Sequence, residues 1–187
     1  GAKTLVDAWT SGKKEHVITG KLSSNTTYIY HEEKAPEGFG YSEDIEFRVD
    51  KDGNVTNAHY INGNGETILY DKDGCPTTIT VQEDGTYKDG EAVITINTDG
   101  NAVDADGNTV AEGVQKDMPV VDNVVAMKDA PTDVKFLKVD SVTGAPLAGA
   151  ILQVIQAIDG EERVVAQWTT DGTGAFKLEK TLAAGES

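Results

Sequence analysis

Short runs in which apolar or β-branched residues alternate with polar ones mark out the predicted strands. They fall at His16–Ile18, Thr27–His31, Ile45–Val49, Thr77–Val81, Ala92–Ile96, Asn123–Met127, Val134–Val139 and Ile151–Ile155. Turn signals separate them at hairpin spacing: Asp52-Gly53-Asn54, Asn62-Gly63-Asn64-Gly65, Asp73-Gly74, Asp84-Gly85, Asp99-Gly100-Asn101 and Asp106-Gly107-Asn108. Asp-Gly and Asn-Gly supply the positive φ angles that tight hairpins need. No long stretch carries a helical period, so the pattern predicts an all-β chain.

The two ends of the chain resemble each other. Leu5-Val6-Asp7-Ala8-Trp9-Thr10-Ser11 is followed by His16-Val17-Ile18 and Lys21-Leu22. Val164-Val165-Ala166-Gln167-Trp168-Thr169-Thr170 is followed by Ala175-Phe176-Lys177-Leu178 and Thr181-Leu182-Ala183-Ala184-Gly185. Trp9 and Trp168 are the two tryptophans of the chain. The plainest role of each is core packing, yet they mark equivalent places in two repeated modules. A boundary is predicted near Ala130-Pro131-Thr132, where proline stiffens a linker and holds the residue before it extended. The stretch Val55–Val121 has no counterpart in the second module and reads as a β-rich insertion, with a small separate β domain as the alternative.

Composition narrows the partners. The 187 residues carry 32 Asp+Glu against 16 Lys+Arg, a net charge of -16. A surface of that sign repels phosphate backbones and anionic lipid, which argues against nucleic acid and membrane surfaces. No apolar stretch is long enough to span a bilayer, so any signal or anchor is expected outside this sequence. One cysteine, Cys75, cannot form a disulfide within the chain, and covalent reinforcement would need chemistry other than sulfur. His16, His31 and His59 show no metal-ligand spacing. The Asp-rich turns beginning at Asp50, Asp71 and Asp104 lack the bidentate acid of a calcium loop, so hairpin turns are the better reading. No metal, cofactor, nucleophile elbow or phosphate-binding loop is predicted.

Two segments carry a family resemblance. Thr27-Tyr28-Ile29-Tyr30-His31-Glu32-Glu33-Lys34-Ala35-Pro36-Glu37-Gly38-Phe39 resembles the TYxLxExxAPxGY segment of Cna B-type, SpaA-like modules of Gram-positive adhesins and pilins. Val134-Lys135-Phe136-Leu137-Lys138-Val139-Asp140, with Thr143-Gly144 and Leu147-Ala148-Gly149-Ala150, resembles the KxDxxTGxxLxGA opening of the same family. The resemblance implies immunoglobulin-like β-sandwich modules in tandem. Residues 1–131 would form a first module lacking its opening strands, with the insertion at about 55–121. Residues 132–187 would be the opening strands of a second.

The family also implies an intramolecular amide between a first-strand lysine and a last-strand Asn or Asp, assisted by a carboxyl on a facing strand. By position Lys138 resembles the nucleophile of the second module, Glu32 the acid of the first, and Asp129 the acceptor of the first, with Asn123 as a rival acceptor. The residue types suit the chemistry. Burial favours a neutral, attacking amine and raises a carboxyl pKa so that it can donate and shuttle protons. Rigid strands supply the proximity. The bland readings stand beside these: Lys138 is in period with Phe136 and Asp140, so alternation alone does not turn it inward. Glu32 could be an exposed strand carboxylate, and Asp129 before Ala-Pro a turn residue.

Neither module holds a full set of lysine, acid and acceptor. Lys138 and Asp129 are joined by too short a connection for adjacent parallel strands. The chain then reads as part of a longer array, or as halves completed by another copy through strand complementation. The expected function is a non-enzymatic stalk of an extracellular, cell-wall-attached protein, whose partners are neighbouring modules. A rival expectation is an adhesin that binds a host or carbohydrate ligand through Val55–Val121.

Overall fold

The computed structural model describes residues 3–158 and 161–179. Its chain divides into two compact units, one of Gly1–Glu32 with Glu43–Lys128, the other of Glu33–Ser42 with Asp129–Ser187. The described residues form strands, turns and irregular segments without a helix, the all-β class that the alternation predicts.

In the first unit, β1 (Thr26–Tyr30), β2 (Asp44–Val49) and β3 (Val55–Ile61) form an antiparallel sheet in that order. Alternation fixes its faces. Ile45 and Phe47 of β2 stand on the same face as Tyr60 of β3 and Tyr28 and Tyr30 of β1, opposite them in register. A bulge interrupts the β2–β3 ladder between Glu46 and Arg48, and Asn57 takes a positive φ of 54 there. Residues 55–61 of the expected insertion therefore belong to the sheet that also holds Thr26–Tyr30.

The rest of that stretch makes a meander: β4 (Ile68–Tyr70), β5 (Pro76–Val81), β6 (Tyr87–Asp89), β7 (Ala92–Ile96), β8 (Ala102–Val103) and β9 (Thr109–Ala111), neighbours in chain order. Five-residue turns join most of these strands. At Asp71 the carboxylate accepts the N–H groups of Asp73 and Cys75, and the turn repeats at Asp104 with Asp106 and Asn108. The sheet then closes. The chain leaving β9 returns to β4, where Tyr70 and Gln115 exchange N–H···O=C bonds of 2.9 Å each and the Lys72 N–H donates to the Glu112 carbonyl. Closure of this kind pairs strand edges that would otherwise be open.

All three residues of β4 are buried. Leu69 packs with Ile79, Ile94 and Ala102 inside the closed sheet. Ile68 and Tyr70 point the other way, into a cluster with Ile45, Ala58 and Tyr60 that Met118, Val120, Val125 and Met127 complete. One short strand thus belongs to two cores.

Two predicted strands are absent. His16–Ile18 lies in an irregular segment, where the His16 ring stacks on Trp9 at 4.3 Å instead of standing in a ladder. Asn123–Met127 is also irregular. Asp122 and Asn123 take positive φ angles of 53 and 60 and make a tight turn that the Val124 N–H closes on the Val121 carbonyl. Val125 and Met127 still reach the core from this path; the apolar pattern reported burial, not a strand.

The second unit pairs β10 (Asp133–Phe136) with β13 (Phe176–Glu179), and β11 (Ala148–Ile158) with β12 (Glu161–Asp171), all antiparallel. Trp168 of β12 stacks on Phe176 and lies 5.4 Å from Phe136. The Thr181–Gly185 part of the end-to-end repeat lies outside the described residues.

Candidate functional site

The two segments that carry the resemblance have local structures that explain their residues. In Ala35-Pro36-Glu37-Gly38-Phe39, the Phe39 N–H donates to the Pro36 carbonyl at 3.1 Å, and Gly38 is buried with a φ of 87 that a side chain would strain. The turn pairs with the predicted boundary. The Gly40 N–H donates to the Ala130 carbonyl and the Thr132 N–H to the Gly38 carbonyl, each at 2.9 Å, so Pro131 sits in a ladder opposite Phe39.

In the second segment Asp140 organises a turn. Its carboxylate accepts the N–H groups of Val142 and Thr143 and the Thr143 hydroxyl, at 2.9, 2.8 and 3.1 Å. These donors hold the Asp140 carboxyl below its ordinary pKa. Gly144 takes a φ of 71 and its N–H returns to the Asp140 carbonyl. Leu147 then donates to the Lys138 carbonyl. The Asp, Thr and Gly of this motif are therefore turn residues; they position the chain between β10 and β11.

Lys138 lies just past β10 and is exposed. Among the described residues its ammonium makes no hydrogen bond or ion pair; its charge contributes to the lowered pKa of Asp140. Asp129 is half-buried at the start of the long segment of the same unit. Glu32 is half-buried just after β1 and belongs to the first unit. Asn123 is a structural clamp, its side-chain oxygen accepting the Val55 N–H at 2.9 Å and its NH₂ donating to the Gly53 carbonyl.

A lysine–aspartate contact that the sequence reading did not single out lies near the amino terminus. Lys21 Nζ donates to Asp7 at 2.8 Å, and His16 Nε2 lies 3.2 Å from the other carboxylate oxygen. The bonds from Lys21 and then His16 pull the Asp7 pKa down to about 2. A carboxyl held ionised beside an ammonium is a salt bridge and a poor acyl acceptor, so this trio fastens structure instead of making an amide. The only sequence signal was the proximity of His16 and Lys21 to the Trp9 repeat.

The closed sheet carries a groove of about 520 Å³ whose lining includes Asp71, Lys72, Thr77, Asp89, Thr109 and Glu112. On its rim Lys72 Nζ is 3.5 Å from Glu112.

Residues 132–186 match the family model described as SpaA, a prealbumin-like fold domain. No curated protein and no solved structure matches the chain. The match covers the segment that opens on Val134–Asp140, where the sequence resemblance lies, and its prealbumin-like fold agrees with the expected immunoglobulin-like sandwich. The match supports a structural module of the pilin and adhesin type for that segment.

Proposed function

We propose that the protein is a load-bearing stalk segment of a bacterial cell-surface protein, made of two immunoglobulin-like modules in tandem, the first carrying a β-rich elaboration that follows β3. The observation that carries this reading is the SpaA-type domain at residues 132–186. Such domains occur in Gram-positive surface proteins, which favours an extracellular location with attachment to the cell wall. The acidic balance, -16 overall, keeps crowded stalks from associating.

The covalent part of the reading is a single-turnover amide on the protein itself. The Lys138 amine bonds to a last-strand carboxyl or carboxamide carbon; water leaves from Asp, ammonia from Asn. Glu32 would be a proton-shuttling acid of the first unit, whereas Asp129, a candidate acceptor, falls in the second unit with Lys138. Lys138 is exposed, so its amine becomes nucleophilic only where a facing strand covers it and disfavours the charge. That strand comes from a neighbouring module or another copy by complementation. Tryptic mapping tests this. An amidated Lys138 resists cleavage and yields a branched peptide, which Lys138→Ala abolishes; clean cleavage at Lys138 in assembled protein refutes it.

A second reading has its own observation, the groove of about 520 Å³ on the closed sheet, a volume within the range of small-ligand sites. It makes the stretch a ligand-binding element for a host or carbohydrate ligand. Deleting Val55–Val121 would remove β3 and β4 from the core. Asp89→Ala and Thr109→Ala are the better probes, and unchanged adhesion in both would exclude this reading.

A further inference from the structure

The turn from β3 to β4 reads Asn62-Gly63-Asn64-Gly65-Glu66 and contains both Asn-Gly pairs of the chain. In such a pair the glycine nitrogen can attack the asparagine side-chain carbonyl carbon, because no Cβ hinders the approach. The C–N bond to the ring forms, ammonia leaves, and the resulting cyclic imide takes up one water to open as aspartate or isoaspartate. By sequence the two asparagines are equivalent. The structure separates them.

Asn62 is the cap of the turn. Its side-chain oxygen accepts the N–H groups of Asn64 and Glu66, each at 3.0 Å, and its NH₂ donates to the Glu66 carboxylate at 2.8 Å. Swinging its carboxamide onto Gly63 requires releasing all three bonds. Asn64 is exposed, and its side chain makes no hydrogen bond among the described residues. The attacking nitrogen for Asn64 belongs to Gly65, which donates to the Asn62 carbonyl at 2.8 Å. One exposed turn bond therefore opens before Asn64 reacts, against three for the Asn62 side chain.

We propose that Asn64 is a site of spontaneous deamidation and that its neighbour Asn62 is protected by its capping bonds. Conversion adds a negative charge two residues from Glu66. The isoaspartyl product also inserts an extra backbone carbon into the turn that sets Ile61 opposite Thr67 and leads into doubly buried β4. The modification therefore loosens the entry to both cores of the unit.

Incubating the full chain at mildly alkaline pH and mapping its peptides by mass tests the assignment. Asn64 is expected to convert to a mixture of aspartate and isoaspartate, faster as pH rises, and Asn64→Gln to abolish the product. Asn62 is expected to convert at least roughly tenfold more slowly, because its cap must open. In denaturant the two rates are expected to converge. No conversion at Asn64, equal conversion of both in the folded chain, or a difference that persists in denaturant would overturn the proposal.

Discussion

Trp168 stacks on Phe176 with ring centroids 4.3 Å apart and planes 11° from parallel, and Trp9 stacks on His16 at 4.3 Å and 10°. Each tryptophan has a second aromatic neighbour, Phe136 at 5.4 Å for Trp168 and Tyr30 at 5.5 Å for Trp9. The aromatic trios recur although Trp168 stands in a ladder and Trp9 in an irregular segment. Stacking sets the placement of both rings.

This makes the two indoles separate reporters. Trp168→Ala is expected to destabilise the second unit by about 2–3 kcal/mol, below the full core value because the ring is half-buried. Trp168→Phe keeps the stack and is expected to lose less than half of that. Trp9→Ala acts on the first unit by about 1–2 kcal/mol, since Trp9 is 38% exposed. Urea titrations of each variant followed by circular dichroism, with the fluorescence of the remaining tryptophan reporting the other unit, check both the sizes and the assignment to units.

The doubly buried strand gives a sharper expectation. Ile68→Ala and Leu69→Ala remove side chains from different clusters, yet each is expected to cost about 2–5 kcal/mol and to lower the stability of both clusters together. Hydrogen exchange of the amides of Ile45 and Ile94 reads the two cores separately. If Leu69→Ala loosens only the closed sheet, the cores are not coupled through β4.

Tyr60 is fully buried, and its hydroxyl accepts the Lys128 N–H at 3.1 Å while donating to the Gly74 carbonyl at 3.3 Å. Tyr60→Phe leaves both groups short of a partner, and a loss of about 1–3 kcal/mol is expected in denaturant unfolding. A neutral result would mean that water replaces the hydroxyl.

Acid should release the amino-terminal fastening. The Asp7 pKa is depressed from 3.8 to about 2 in the folded protein. The stability it contributes is therefore fully present above pH 3.8 and is lost as pH falls through about 2. Asp7→Asn is expected to destabilise the Trp9 environment at neutral pH but to match the parent below pH 2. Salt should shrink the difference, since Lys21 is half exposed. Trp9 fluorescence against pH in both proteins checks the sign.

Much of this architecture was legible in the residues, and the reason is local. The Asp-Gly turns fall where they were expected because most are capped from within, by the side chain that opens the turn, as at Asp50, Asp71, Asn97 and Asp104. The Lys138–Gly144 motif was readable for the same reason: Asp140, Thr143 and Gly144 bond to one another. What was hidden depends on distant pairing. Nothing near Gln115 announces that it closes a sheet on Tyr70. Val125 and Met127 look like strand residues because burial alone produces their pattern. The candidate amide site was readable only as far as its motif: the sequence nominated Lys138, and its exposure follows from the Asp140 turn that carries the chain away from β10.

The proposed amide would consume Lys138 and reinforce a structural module. Intact mass measured under denaturing conditions on the assembled protein tests it most directly. A species lighter by one water or one ammonia for each bond formed is expected, in a single chain or a linked pair, and Lys138→Ala is expected to show the full mass of its own sequence. A mass equal to that of the unmodified sequence, with no linked species, would contradict it.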